Sequence, residues 1–135
     1  MKVLLDVYVV LDVLLDRQPW VSGAKELWKA CDDGRIDGCV ASISLPTVFY
    51  IVRKISGSQK AREAVRVCLD AFHICSVDGR VLEMAYALSG VDFEDNVQIA
   101  CAVIATADYI ATRDQAGLAN PQVPVKNADQ IITLL

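Results

Sequence analysis

Residues 1–17 read MKVLLDVYVVLDVLLDR, and the fold turns on how that stretch divides. Lys2 to Leu5 is a short run with no polar alternation, the pattern of a strand buried on both faces of a parallel sheet. Asp6 ends it. From Val9 onward the apolar residues recur at helical spacing, and Asp12 and Asp16 stand four apart on one side. The opening is therefore a buried strand, an acid at its carboxyl end, and a helix.

The same alternation continues outward. QPW is a loop. SGAKELWKACDDGR reads as a helix capped by Ser22 and ending near Gly34, and GCVAS (38–42) as a second buried strand. SLPTVFYIVRKISG predicts a helix capped by Ser44, with Pro46 in its first turn. SQKAREAVRVCLDAF predicts another, capped by Ser58. HICSV is a third strand, and DGRVLEMAYALSG a helix capped by Asp78 and closed by Gly90. DFEDNVQIACAVIATAD is a helix with acids in its first turn. YIATRD is a fourth strand, VPV a fifth, and NADQIITLL a closing helix capped by Asn127. Strands alternating with helices predict a three-layer α/β/α domain around a mainly parallel sheet of four to five strands, with residues 1–135 forming one domain.

Composition narrows the function classes. The chain is 54% hydrophobic with net charge −4, which excludes a disordered chain and argues against a large basic nucleic-acid footprint. It does not argue against a nuclease, because metal-binding carboxylates are themselves negative. No apolar run is long enough to span a bilayer, and Asp6, Asp12 and Asp16 break the N-terminal run that a signal peptide would need. The expectation is a soluble cytoplasmic protein. The five cysteines, Cys31, Cys39, Cys68, Cys75 and Cys101, include no C-x-x-C pair, and His73 is the sole histidine. That spacing is wrong for a zinc site and suits small buried residues in a reducing compartment. No G-x-G-x-x-G follows the first strand, so a dinucleotide fold is excluded. A phosphatase Asp-x-Asp fails because Tyr8 stands at its second acid.

In open parallel sheets ligands bind beyond the carboxyl ends of the strands. Asp6 ends the first strand and Asp114 follows the fourth. Asp92, Glu94 and Asp95 lie at a helix start, which faces the same end. Each has an ordinary explanation: turn residue, cap, or partner of the helix dipole. That explanation covers Glu94 well, Asp92 partly and Asp95 least, since the helix after Asp95 must pack on the sheet. Together Asp6, Asp95 and Asp114 make a stronger case. Gathered carboxylates repel unless a cation lies among them. Oxygen ligands without Cys or His suit Mg²⁺ or Mn²⁺, which can activate water for attack at phosphorus.

The order of these elements resembles the PIN domain, in particular its PilT N-terminus-like branch, which includes the VapC-type toxin ribonucleases. The matching stretches are KVLLDVYVVLDVLLDRQPW, FYIVRK, DFEDNVQIACA and ATRD. The resemblance implies a metal-dependent endoribonuclease of toxin–antitoxin type, with Asp6, Asp95 and Asp114 as the first, third and fourth acids around Mg²⁺ or Mn²⁺. Glu94 stands beside the third as an assisting ligand. The sequence departs from the pattern at three positions. Val7 and Tyr8 replace the polar pair that usually follows the first acid. The second acid, usually Glu, is missing near PTVFYIVRK, where Thr47 is the nearest polar residue. The alternative is a degenerate PIN domain that binds partners without cutting RNA.

An RNA substrate requires cations near the metal. Arg113, next to Asp114, and Arg17 are the candidates. Arg53 and Lys54 fit a solvated helix end better. Trp20 and Tyr50 are candidates for stacking on unpaired bases, although packing explains each as well. The resemblance further implies an antitoxin partner and a homodimer. The apolar positions Val48, Ile51, Val52, Val65 and Leu69 exceed what one sheet face hides, which places the expected partner groove between Ser44 and Phe72.

Overall fold

The computed structural model describes residues 1–120 and 122–135. In chain order the elements are β1 (Lys2–Leu5), α1 (Val7–Leu14), α2 (Val21–Asp32), β2 (Asp37–Ala41), α3 (Ser44–Ser56) and α4 (Ser58–Ala71). They continue with β3 (His73–Cys75), α5 (Gly79–Ala87), α6 (Phe93–Ile104), β4 (Tyr109–Ala111), β5 (Val125–Lys126) and α7 (Ala128–Ile132). The five strands form one sheet in the order β3-β2-β1-β4-β5. Every neighbouring pair is parallel. Leu4 sits opposite Cys39 on one side and Ile110 on the other. The expected α/β/α arrangement, with its parallel sheet, is what the chain adopts.

Successive strand residues point to opposite faces, and this chain fills both. Val3 and Leu5 of β1, Val40 of β2 and Ala111 of β4 enter a core with α1, α2, α3, α4 and α7. Leu4, Cys39, Ala41 and Ile110 enter a second core with α5 and α6. That is why β1 reads as an unbroken apolar run. In the first core Trp28 and Phe72 meet edge to face, their ring centroids 4.7 Å apart. In the second, every residue of α6 from Asn96 to Ala102 is buried. Leu118 and Val123, from the segment after β4, pack into that same core.

The chain moves outward from β1 to β3 with its connecting helices on one face. It then crosses back to β4 with α5 and α6 on the other. Right-handed crossovers in opposite directions require this change of face. The reversal opens a crevice between the carboxyl ends of β1 and β4, the place where ligands bind in such sheets.

Three expected caps fall inside their helices. Ser22, Ser44 and Ser58 are helical residues, and the cap positions are Trp20, Ile43 and Gly57. Gly57 has φ +90°, which lets the chain turn between α3 and α4 without strain. Asp78 and Asn127 do cap: Asp78 accepts from the Val81 N–H, and Asn127 forms a reciprocal capping box with Gln130. The segment proposed for a partner groove is partly spoken for. Val48 and Val52 are buried in the core, while Leu69 is exposed. A shallow groove of about 240 Å³ remains between Phe49, Val65 and Leu69, with Arg62 and Arg66 beside it. All five cysteines are free thiols, and Cys39, Cys68 and Cys101 are buried. No helix among the described residues is long and apolar enough to cross a membrane.

Candidate functional site

The site is built where β1 and β4 end. Asp6 follows β1, and its backbone N–H donates to the Ala111 carbonyl of β4 (2.9 Å). Its side chain is only 7% exposed. Burial raises the Asp6 pKa, opposed by hydrogen bonds from the Thr112 hydroxyl and the Val7 backbone N–H. Thr112 Oγ1 donates to Asp6 Oδ2 at 2.9 Å and accepts from the Asp114 N–H at 3.0 Å. One hydroxyl thus ties the first acid to the loop that carries the last. Asp114 in turn accepts from the Gly117 N–H on Oδ1 (3.1 Å). A Cβ at position 117 would run into the Asp114 carboxylate, so a larger residue there would push that carboxylate aside.

Asp95 arrives from the other layer. It lies in the first turn of α6, where the Asp92 side chain caps the helix by accepting from the Asp95 N–H (3.1 Å). Asp92 therefore has the capping role. A cavity of about 100 Å³ is bordered by Asp6, Glu94, Asp95 and Asp114 together. Val7, Tyr8, Gln98 and Leu118 complete its wall. The Asp95 pKa is pushed up to about 6, first by burial and then by the negative charges of Asp92, Asp6, Asp114 and Glu94. The charges of the neighbouring acids thus add to a shift that burial begins. Among the described residues, no three Asp, Glu, His or Cys side chains stand close enough together to hold an ion as they are. Asp6 Oδ1 and Asp114 Oδ2 are the oxygens that the Thr112 and Gly117 hydrogen bonds leave over.

The expected second position moves. Thr47 Oγ1 donates back to the Ile43 carbonyl at 3.4 Å, within its own helix, and does not border the acids. Ser44, one turn earlier and 3% exposed, is the α3 residue linked to the site, through Gln98. It accepts a 3.2 Å hydrogen bond from Gln98 Nε2, and Gln98 borders the acidic cavity. Gln98 Oε1 is buried and has no hydrogen-bond partner among the described residues.

Beside the acids lies a wider opening of about 340 Å³ bordered by Asp6, Asp114, Tyr8, Trp20 and Arg113. The Arg113 guanidinium lies 3.8 Å from the Trp20 ring centroid and 5.5 Å from that of Tyr8. Its Nε is 3.2 Å from Oδ2 of Asp12, a carboxylate 1% exposed. Tyr8 and Asp12 are four apart in α1 and share the face along which Arg113 lies. Asp12 was legible in the sequence only as a break in an apolar run. Arg17 is not on the wall of either opening; its charge is felt at Asp12. Arg53 and Lys54 sit on Tyr50, at 6.0 Å and 5.0 Å from its centroid, on the exposed face of α3. His73 pairs with Asp37 (2.6 Å) at the surface, at the amino end of β3. It is remote in the sheet from the carboxyl ends.

Sequence reasoning thus missed Thr112, Gln98, Ser44 and Asp12. Two of them left a signal. Gln98 is three residues after Asp95, hence on the same helix face, and Thr112 is two residues before Asp114 at a strand exit.

A family profile described as PIN domain matches residues 2–116. No curated protein matches the sequence. Among solved structures, the chain is similar to one in VapBC2 from Rickettsia felis bound to a promoter DNA fragment. The identity is 13% and the TM-score 0.73, with 94% of this chain and 98% of that one covered. A toxin–antitoxin complex from Klebsiella pneumoniae is 20% identical with TM-score 0.70, covering 93% and 97%. VapC20 of Mycobacterium tuberculosis, a sarcin–ricin loop cleaving toxin, is 13% identical with TM-score 0.64, covering 80% and 86%. At such identities these structures speak for the fold. With the profile covering most of the chain and the acids drawn to the crevice where its sheet reverses, the protein belongs to the PIN domain family.

Proposed function

We propose that this chain is a Mg²⁺- or Mn²⁺-dependent endoribonuclease of toxin type, acting in the cytoplasm and restrained by an antitoxin protein. The observation that carries the reading is the convergence of Asp6, Asp95 and Asp114, from three separate elements, on one small cavity. Mutual repulsion there, together with a buried oxygen that lacks a partner, suits a hard cation. Asp6, Asp95 and Asp114 would hold the ion, with Glu94 at the margin. A bound divalent cation supplies a water-derived nucleophile and stabilises the charge of an in-line displacement at phosphorus. The protein's own contribution is placement. Thr112 fixes Asp6, Gly117 leaves room for Asp114, and Arg113, held on Trp20 above Asp12, presents a cation to the substrate phosphate.

The structures bound to antitoxins support an antitoxin partner. The groove at Phe49, Val65 and Leu69 is the surface assigned to it or to a second copy of the chain. Light scattering that returns a single monomer across the micromolar range would remove the homodimer.

The test of the chemistry is cleavage of a panel of single-stranded and hairpin RNAs with Mn²⁺. The parent cuts, a chelator stops it, and Asp95→Asn lowers the rate on the order of a hundredfold or more while the chain stays folded. Equal cutting by Asp95→Asn would overturn the site. The second reading, a PIN domain that binds without cutting, draws on the missing second acid and on the spacing of the acids as they stand. It predicts no cleavage and no rise in Tm with millimolar Mg²⁺, which binding to the native state would produce.

A further inference from the structure

We propose that the side-chain amide oxygen of Gln98 is a ligand for the divalent cation in the acidic cavity, with Ser44 as the residue that positions it. The proposal rests on the metal-dependent reading above and adds to it a neutral donor.

The argument starts from a side chain that packing does not explain. Gln98 is 5% exposed, in a stretch of α6 that is otherwise buried among apolar residues. Its amide nitrogen is satisfied by Ser44 Oγ at 3.2 Å. With the nitrogen on Ser44, Oε1 is the atom left over, and it has no partner among the described residues. A buried acceptor without a donor is a cost that a leucine of similar size would avoid. Such a group in a native fold points to an occupant that the protein atoms do not supply.

Its position says what kind of occupant. Gln98 is one turn along α6 from Asp95, on the same face, and borders the cavity that Asp6 and Asp114 also border. The acids that share the cavity offer Oε1 no donor when ionised, since a carboxylate only accepts. A hard divalent cation accepts carboxylate and amide carbonyl oxygens alike. The neutral oxygen has a further merit. Burial, and after it the charges of Asp92, Asp6, Asp114 and Glu94, already disfavour the ionised form of Asp95. A further carboxylate would add to the repulsion in the metal-free protein, whereas an amide adds a ligand without adding charge. Ser44 accounts for orientation. Without its oxygen the amide is free to rotate and present nitrogen to the ion.

The experiment is calorimetric titration of Mn²⁺ into the purified full chain, paired with melting of the metal-free protein. The variants are Gln98→Leu, Gln98→Glu, Ser44→Ala and Asp6→Asn. The parent binds and Asp6→Asn does not. Gln98→Leu weakens binding about tenfold or more while its metal-free Tm equals or exceeds the parent's, and Ser44→Ala weakens it by about tenfold. Gln98→Glu, which keeps an oxygen in place, binds at least as tightly as the parent. If Gln98→Leu does not fold, Gln98→Glu decides alone, and loss of Mn²⁺ binding in it overturns the assignment. Mn²⁺ bound by Gln98→Leu as tightly as by the parent overturns the Gln98 role and leaves the acidic site standing. A lowered metal-free Tm in Gln98→Leu, in step with the lost affinity, assigns Gln98 to the core instead. A parent that binds no Mn²⁺ removes the metal-dependent reading itself.

Discussion

At the scale of single residues, Asp95 sets a pH dependence that can be read without any substrate. Its pKa is raised from 3.8 to about 6 in the folded chain. Between those values the folded state binds more protons than the unfolded one, so stability falls as pH rises through that window. The penalty is absent below about pH 4 and fully present above about pH 6. Asp95→Asn removes it. In metal-free protein the variant is expected to melt higher than the parent at pH 7.5, by about 1–2 kcal/mol after allowance for solvent screening, and to match it near pH 4. Melting curves at the two pH values check this, and an Asn variant less stable at neutral pH would mean that the carboxylate is held by a favourable contact. Thr112 makes the opposite case. Its hydroxyl both donates to buried Asp6 and accepts from the Asp114 backbone. Thr112→Val keeps the shape and strands both partners, at an expected cost of about 1–3 kcal/mol by urea unfolding. A loss under half a kilocalorie would show the pair to be satisfied by water.

At the scale of elements, α7 gives a clean test because its cap is complete. Asn127 Oδ1 accepts from the Gln130 N–H at 2.8 Å, and Gln130 Oε1 accepts from the Asn127 N–H at 2.9 Å. Asn127→Ala should cost about 1 kcal/mol, measured by urea unfolding, with the cleft chemistry unchanged. The elements were legible from sequence because each carries its own period. Leu4 and Leu5 announce a strand buried on both sides, and the acids before Asn96 announce a helix start. The serine caps were not legible. Ser22, Ser44 and Ser58 have the right chemistry for an N-cap, but helix boundaries are also set by packing, and each helix begins at or before its serine. The acids of the site were legible for the same reason that the strands were: Asp6 and Asp114 interrupt apolar patterns where the chain leaves the sheet. The partners of those acids were not. Thr112, Gln98 and Ser44 are polar residues whose meaning appears only when α3, α6 and β4 are brought together across the crossover. Thr47 looked equivalent to Ser44 in the sequence, and what separates them is the partner: Ser44 Oγ takes the Gln98 amide, whereas Thr47 Oγ1 bonds to its own backbone.

At the scale of the whole molecule, the sheet divides the interior into two cores that share β-strands and little else. Leu27 is fully buried on the side of α2, and Val97 is 2% exposed on the side of α6. Leu27→Ala should cost about 2–5 kcal/mol and Val97→Ala somewhat less. Because the two lie in different layers with the sheet between them, the double variant should equal their sum within about 0.5 kcal/mol. A larger discrepancy in urea unfolding would show that strain passes through the sheet from one layer to the other. The borders of that sheet bear on how the protein behaves in concentrated solution. An open strand is a row of unpaired N–H and C=O groups that can recruit the same row on another molecule. Here the outermost strands, β3 and β5, are three and two residues long. Each offers so few free backbone groups that an incoming strand would gain little by lying against it. A chain more than half apolar is thereby guarded against growing, molecule by molecule, into a continuous ribbon, and its associations are left to the helical surfaces.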